Sequence, residues 1–469
     1  MTDPRSVPTL RSRGLTLAAA AAALAGCALA TPPEDGALVD AALPAGTEIP
    51  AAWSSEGAPS SVAGGNWVAS FRDPNMTGLV AEALRNNPDL QAAAAQVDAA
   101  LQAVTIAGAP ILPAVGATAG AQESRDLTEY RNSTISGAEL MVSWEVDLWG
   151  KLRSGQASVA ASAAAVANEA VYANQSIAAT VARTWVSIIE LAKLVVVAEE
   201  TAGLYENLLA LARQKEAAGQ VSDFDVVQAQ ARLSGARAEI PKLRISANES
   251  IAALEVLLGR YPNLKLRSGT TYPRMPGALA SGPPLSLLDR RPDVVAARNE
   301  VIAAFYNVEV AKLARLPGVS LAASGGRLFD PDIALLGANP DFLRAGVGLL
   351  QPIFEGGALQ AQVVEMTAEQ AAATALYGQT VLEAYAEVET RQANERLLRE
   401  SLASQRAALA DAEEAVALGQ DNYVAGTMDM TQLLTLQQFV NAAKVEVVQS
   451  EAALLTNRIA LYLALGEPS

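Results

Sequence analysis

The chain contains no histidine, and its single cysteine is Cys27. Without them, His-based metal sites, Ser-His-Asp triads and Cys-His dyads are excluded at once. Aromatic residues make up only 5% of the 469 positions, and Lys and Arg are outnumbered by Asp and Glu, 34 to 50, for a net charge of −16. Nucleic-acid binding needs clustered cations facing phosphate, so that class is excluded as well. Carboxylates are spread along helical stretches and read as solvated faces, not as the convergent acid pair of a cell-wall hydrolase. No catalytic residue, metal site or cofactor is assigned. After Cys27 no uninterrupted apolar run is long enough for a transmembrane helix. Any crossing of a bilayer must therefore be made by a closed β-barrel.

What is present is mostly alanine, which dominates a hydrophobic share of 51%. At the N-terminus, Arg5, Arg11 and Arg13 precede a short apolar stretch, Leu15 to Ala25, as in a secretory signal. It ends in Leu24-Ala25-Gly26-Cys27, which resembles a bacterial lipobox whose cysteine is acylated and becomes the mature N-terminus. Residue 28 is Ala rather than the Asp that would retain the protein at the inner membrane, so by the usual sorting rule the outer membrane is the expected destination. Residues 1–26 thus read as a lipoprotein signal peptide and 27–73 as a lipidated, extended segment.

The rest of the chain repeats itself. "NPDLQAAAAQVDAA" (87–100) resembles "RPDVVAARNEVIAA" (291–304), and Pro113 aligns with Pro317 at the same offset. "DLWGKL" (147–152) corresponds to "PIFEGGAL" (352–359), and "AGQVSDFDVVQAQ" (218–230) to "AGTMDMTQLLTLQ" (425–437). The offset stays between 204 and 207 residues. Two structural repeats follow, 74–259 and 290–466, joined by a Pro/Gly-rich linker over 260–289. Each reads helix, strand, loop, strand, very long helix, tight turn, long helix.

Strands are expected at about 114–127, 134–148, 318–329 and 341–354. In the second, Leu140, Val142, Trp144, Val146 and Leu148 alternate with Met141, Ser143, Glu145 and Asp147, an apolar face toward lipid and an acidic one toward water. Long helices are expected over about 150–217 and 356–422. Within the first, Leu194, Val197, Thr201, Leu204, Leu208 and Leu211 keep 3-4 spacing, as do Leu191, Val195, Ala198, Ala202, Tyr205, Leu209 and Ala212. Two adjacent stripes place a helix between two neighbours, as in a closed ring of helices. Four strands cannot close around a lumen, eight give a filled interior, and twelve leave a channel, so a homotrimer is the smallest pore-forming assembly.

"NWVASFRDPNMTGLVAEAL" (66–84), "SWEVDLWGKLRSG" (143–155), "AQARLSGARAEIPKL" (229–243), "ALEVLLGRYP" (253–262), "LLDRRPDVVAARNEVIAA" (287–304) and "GLLQPIFEGGAL" (348–359) together resemble the TolC-type outer-membrane efflux channels. The likeness is to their lipoprotein subfamily, which pairs with RND pumps and includes nodulation proteins. It implies an α+β membrane protein: a trimeric twelve-stranded β-barrel, four strands per chain, continuous with a long α-helical periplasmic barrel. It also implies export of drugs or other small molecules from a periplasmic adaptor and an inner-membrane pump across the outer membrane of a Gram-negative bacterium. By the same resemblance, Tyr423 bonds Asp225 to hold the periplasmic tip closed. Met428 stands where the best-known members have arginine, and Gln432 and Thr435 replace two aspartates that narrow their entrance; Asp421 and Asp429 are the acidic residues left nearby. The turns Gly219-Gln220-Val221-Ser222 and Ala425-Gly426-Thr427-Met428 are the expected adaptor-docking sites, and glycine is also what a tight helix-helix turn requires. The rival readings are a periplasmic adaptor, which has one hairpin rather than two, and a coiled-coil structural lipoprotein, which leaves the strands unexplained.

Overall fold

The structure, a computed structural model, describes residues 29–54, 66–126, 131–277, 279, 281–329 and 341–468. Helices α1 (Asp35–Ala42), α2 (Trp67–Ser70), α3 (Pro74–Asn86) and α4 (Pro88–Gly108) lead to strands β1 (Ala114–Asp126) and β2 (Arg131–Val146). Helices α5 (Lys151–Ala217) and α6 (Asp223–Leu257) complete the first half. The second half runs α7 (Leu287–Arg290), α8 (Pro292–Leu313), β3 (Gly318–Phe329), β4 (Asp341–Leu350), α9 (Ala358–Ala425) and α10 (Met430–Ala464). At ~1.5 Å per residue, the 67 residues of α5 and 68 of α9 make helices of about 100 Å each. No helix among the described residues is long and apolar enough to cross a membrane.

Backbone conformation repeats along with sequence. Gly150 and Gly357, Gly219 and Gly426, and Gly259 and Gly466 all have positive φ, and the two members of every pair stand 207 residues apart. The last four end helices in the same way. Gly219 donates to Glu216 and Gln220 to Lys215; Gly466 donates to Leu463 and Glu467 to Tyr462. This is the paired closure that a left-handed residue permits, and it satisfies carbonyls otherwise orphaned at a helix end.

The chain forms two compact units. One holds the sheet with Gln96–Asn168 and Ala296–Gln379. Its helices meet through small side chains: Ala161, Ala163 and Ala165 of α5 are buried, as are Ala303 and Ala311 of α8, and the Ser158 hydroxyl donates to Asn307 (2.7 Å). The other unit comprises Gly46–Ala95, Glu169–Val295 and Thr380–Ser469. Its core joins Trp67, Phe71 and Met76 to Ala178–Ile189 of α5 and to Leu455, Ile459 and Tyr462 of α10. Asp73 caps α3 through the amides of Asn75 and Met76 and accepts from the Trp185 indole (2.9 Å), fixing that helix on α5. Arg458 of α10, 2% exposed, reaches the linker by donating to the Gly277 carbonyl (2.5 Å) and also donates to Glu395 of α9 through Nε (2.7 Å).

The segment 27–73 departs from the extended chain expected of it. α1 and α2 interrupt it, with Leu38, Val39, Trp67 and Val68 buried. Cys27, the expected lipidation site, lies outside the described residues.

Candidate functional site

The four strands form one antiparallel sheet in the order β1-β2-β3-β4. Register sets its chemistry. Val142 pairs with Val115 and Ala323, Trp144 with Leu321, Val146 with Val319, and Leu321 and Val319 in turn with Val347 and Leu349. Side chains of paired residues share a face, so one face carries Val, Leu, Ala and Trp across all four strands. The opposite face carries Thr118, Gly120, Glu139, Ser143, Glu145, Ser320, Ser324, Arg344, Gly346 and Gly348. The apolar face is uncovered: Leu140 is 62% exposed, Leu343 85% and Val347 75%. β1 and β4 are the sheet's outer strands, each with one unpaired edge. Trp144 tucks its indole N–H onto the Ile111 carbonyl and Trp149 onto that of Pro317, both at 2.8 Å. Each indole thereby satisfies its one donor, and the Trp144 ring stays on the apolar face.

Leu148 is not a strand residue, and Asp147 does not face water. β2 ends at Val146, and the Asp147 carboxylate turns back to accept from the amides of Leu152 and Arg153 (both 3.0 Å) and from the Arg153 guanidinium (3.1 Å). Its side chain is only 8% exposed. Burial alone would raise its pKa; the two amides and the guanidinium outweigh that and hold it below the usual aspartate value. A strand runs directly into a helix here because one carboxylate takes up the orphan N–H groups that a helix start presents. An aspartate just before Gly150-Lys151 is a cap signal the alternating pattern had absorbed. β4 likewise stops at Leu350, short of the expected 354: Pro352 lacks an N–H, and the Gln351 side-chain Nε2 donates to the Arg315 carbonyl.

The two long-helix turns share a core of their own. Tyr205, Leu208, Leu209 and Ala212 of α5 pack with Ala229 and Leu233 of α6, Tyr423 of α9, and Met430, Leu433 and Leu434 of α10. These burials follow the two stripes on α5. Gly219 and Gly426 face open space, so their role is the positive φ of the turn. Gln220, Ser222, Ala425 and Thr427 are exposed beside them, and Val221 and Met428 half-buried. Met428 packs against the core rather than offering charge.

The expected Tyr423–Asp225 bond is not made. Tyr423 is 2% exposed, not a surface tyrosine, and its hydroxyl has no hydrogen-bond partner. Burial, and secondarily the Asp225 charge, raise its pKa. Asp225 accepts instead from the amide (3.0 Å) and hydroxyl (2.9 Å) of Ser222, closing the start of α6. Asp429 and Gln432 form a reciprocal capping box at the start of α10, amide to side chain in both directions (2.8 and 3.1 Å). Thr435 bonds back to the Thr431 carbonyl, and Asp421 is exposed. The residue that reaches Tyr423 is Lys215, whose Nζ donates to the Tyr423 carbonyl (2.6 Å) and lies 4.2 Å from the ring centroid. Nothing in the sequence marks it out, since a cation in the last turn of a helix is commonplace.

The family model for outer membrane efflux proteins matches residues 79–260 and 284–467. This chain belongs to that family. It is 30% identical over 420 residues to the pyoverdine export outer membrane protein OpmQ of Pseudomonas aeruginosa, covering 85% of this chain and 86% of that protein. With the toluene efflux pump outer membrane protein TtgC of Pseudomonas putida it shares 30% identity over 473 residues, 96% of this chain and 95% of the other. The crystal structure of the outer membrane protein VceC from Vibrio cholerae has the same fold, with a TM-score of 0.80 at 23% identity over 88% of this chain and 99% of that one. The TolC-type resemblance therefore holds, with its four strands per chain and its two tandem halves. The protein is an outer-membrane efflux channel, a passive duct and not an enzyme.

Proposed function

We propose that three copies of this chain close a twelve-stranded barrel and serve as the exit duct of a tripartite system, fed by a periplasmic adaptor and an RND-type inner-membrane pump. The observation that carries this reading is the sheet: one face apolar on every strand, the other mostly small or polar with Met141, Phe342 and Leu350 among them, and an open edge at either side. Edge strands of 13 and 10 residues with unpaired N–H and C=O groups cannot stay open in hydrocarbon, so β1 of one copy pairs with β4 of the next. Glycine and serine on the inward face keep the lumen wide, while Glu139, Glu145 and Arg344 hold water in it. The duct breaks and makes no bonds; the pump supplies the energy. Relatives are named for cargoes as unlike as pyoverdine and toluene, which favours a pump that chooses and a channel that conducts.

Acylation at Cys27 adds a lipid anchor. The turn region around Tyr423, Asp225, Asp421, Asp429, Gln432 and Thr435 is the periplasmic entrance, and the turns centred on Gly219 and Gly426 receive the adaptor. Native mass spectrometry of protein extracted from outer membranes tests the assembly: trimers whose subunits begin at Cys27 and carry acyl mass are expected, and a soluble monomer would overturn it. Gly426→Trp, at a position where an added Cβ meets nothing within 4 Å and only the strain of positive φ is added, should still assemble as a trimer and abolish cross-linking to the adaptor. Undiminished cross-linking would remove that turn from the docking surface.

A further inference from the structure

We propose that Lys215 is the latch of the entrance: it ties the last turn of α5 to the last turn of α9 inside each protomer, and the duct opens only when this tie is released. The proposal rests on reading the turn region as the entrance. Three observations carry it. Lys215 Nζ makes a 2.6 Å bond to the Tyr423 carbonyl and also sits 4.2 Å over the ring, so one ammonium grips both the backbone and the side chain of the same residue. A cation held at once by a helix-end carbonyl and an aromatic face gains from both. The carboxylate that could compete for Tyr423 is occupied, because Asp225 is turned onto Ser222, and the Tyr423 hydroxyl is left buried without a partner. The second turn itself offers no charge toward the core, since Met428 packs there, half-buried. Another contact between the halves near the turns, Thr431 to Gln228 at 3.3 Å, is neutral and exposed.

Widening a ring of helices at this level means moving the α9–α10 pair against the α5–α6 pair. That motion draws Lys215 off Tyr423, and the ammonium must give up its carbonyl and its ring together. Lys215 is a positioning residue: it fixes where Tyr423 stands and touches no cargo.

The test uses the full-length trimer in planar lipid bilayers, with assembly checked by native mass spectrometry. Lys215→Met keeps the aliphatic stem and removes the charge; a several-fold rise in single-channel conductance is expected, and Lys215→Arg should return it toward the wild-type level. Lys215→Gln serves if the methionine variant fails to assemble, with the same rise expected. An assembled trimer whose Lys215→Met conductance equals wild type overturns the latch and leaves the channel standing. Tyr423→Phe is recorded alongside, and a rise there as large as in Lys215→Met would place closure on the hydroxyl and overturn the latch as well. Wild-type protein that neither trimerises nor conducts would instead fail the entrance reading itself, and the latch with it.

Discussion

Gly259 and Gly426 occupy equivalent conformations for different reasons. Both have positive φ, which costs an ordinary residue about 1–2 kcal/mol. A Cβ at Gly426 would meet nothing within 4 Å, whereas at Gly259 it would strike the Asn86 carbonyl, and at Gly466 the carbonyl of Arg290. Gly426→Ala should therefore lower trimer stability by about 1–2 kcal/mol, and Gly259→Ala or Gly466→Ala by clearly more, as thermal unfolding would show. Equal losses at the three sites would mean that only backbone strain matters. Asp147 makes the second prediction. Its pKa is lowered in the folded protein, so its contribution is fully present above the unfolded aspartate range near pH 4 and is lost as pH falls through the lower folded value. Asp147→Asn should cost about 1 kcal/mol at pH 7 as a weakened cap. The gap in melting temperature between wild type and variant should narrow between pH 5 and pH 3; a constant gap would detach the charge of Asp147 from stability.

Among the elements, β2 does most to define the molecule, and its two faces should respond oppositely to one kind of change. Val142 lies between Val115 and Ala323 on the apolar face. Val142→Arg places a charge in hydrocarbon and should destabilise the folded barrel by roughly 2–4 kcal/mol, measured by urea titration in vesicles. Ser143→Arg, one residue along, faces the lumen; it should fold normally and shift the reversal potential toward anions. If both fold alike, the assignment of faces is wrong. Such alternation is legible because a strand shows period two to anyone reading the residues, and the paired stripes on α5 are legible for the same reason at period 3.6. What stayed hidden depended on where one side chain turns. Asp147 fits the alternating pattern yet caps a helix, Asp225 fits the expected gate yet caps another, and the short helix Asp35–Ala42 has too few residues to show a period. Lys215 was invisible because its partner is a carbonyl 208 positions away, a contact that no spacing rule encodes.

At the scale of the whole molecule, the proposed function gives the chain two attachments to the membrane, acylation at Cys27 and the barrel, and their strengths differ in kind. Acyl chains hold a protein only through the CH₂ groups they bury, about 0.8 kcal/mol each, and can leave the bilayer without exposing any backbone polar group to it. A closed barrel buries every backbone polar group of its twelve strands in its own ladder and cannot leave without exposing them to hydrocarbon. On that proposal the anchor should be dispensable for residence in the membrane, with its role falling earlier, in delivering a chain whose open sheet edges would otherwise pair at random before three copies meet. The expected result of replacing residues 1–26 with a non-lipoprotein signal and changing Cys27→Ala follows from this. Less protein should reach the outer membrane, but what arrives should require detergent for extraction, migrate as a trimer and conduct as wild type does. Full release into the soluble fraction as a monomer would show that lipid alone holds the protein in place. That result would dismantle the argument from open edges to a twelve-stranded pore.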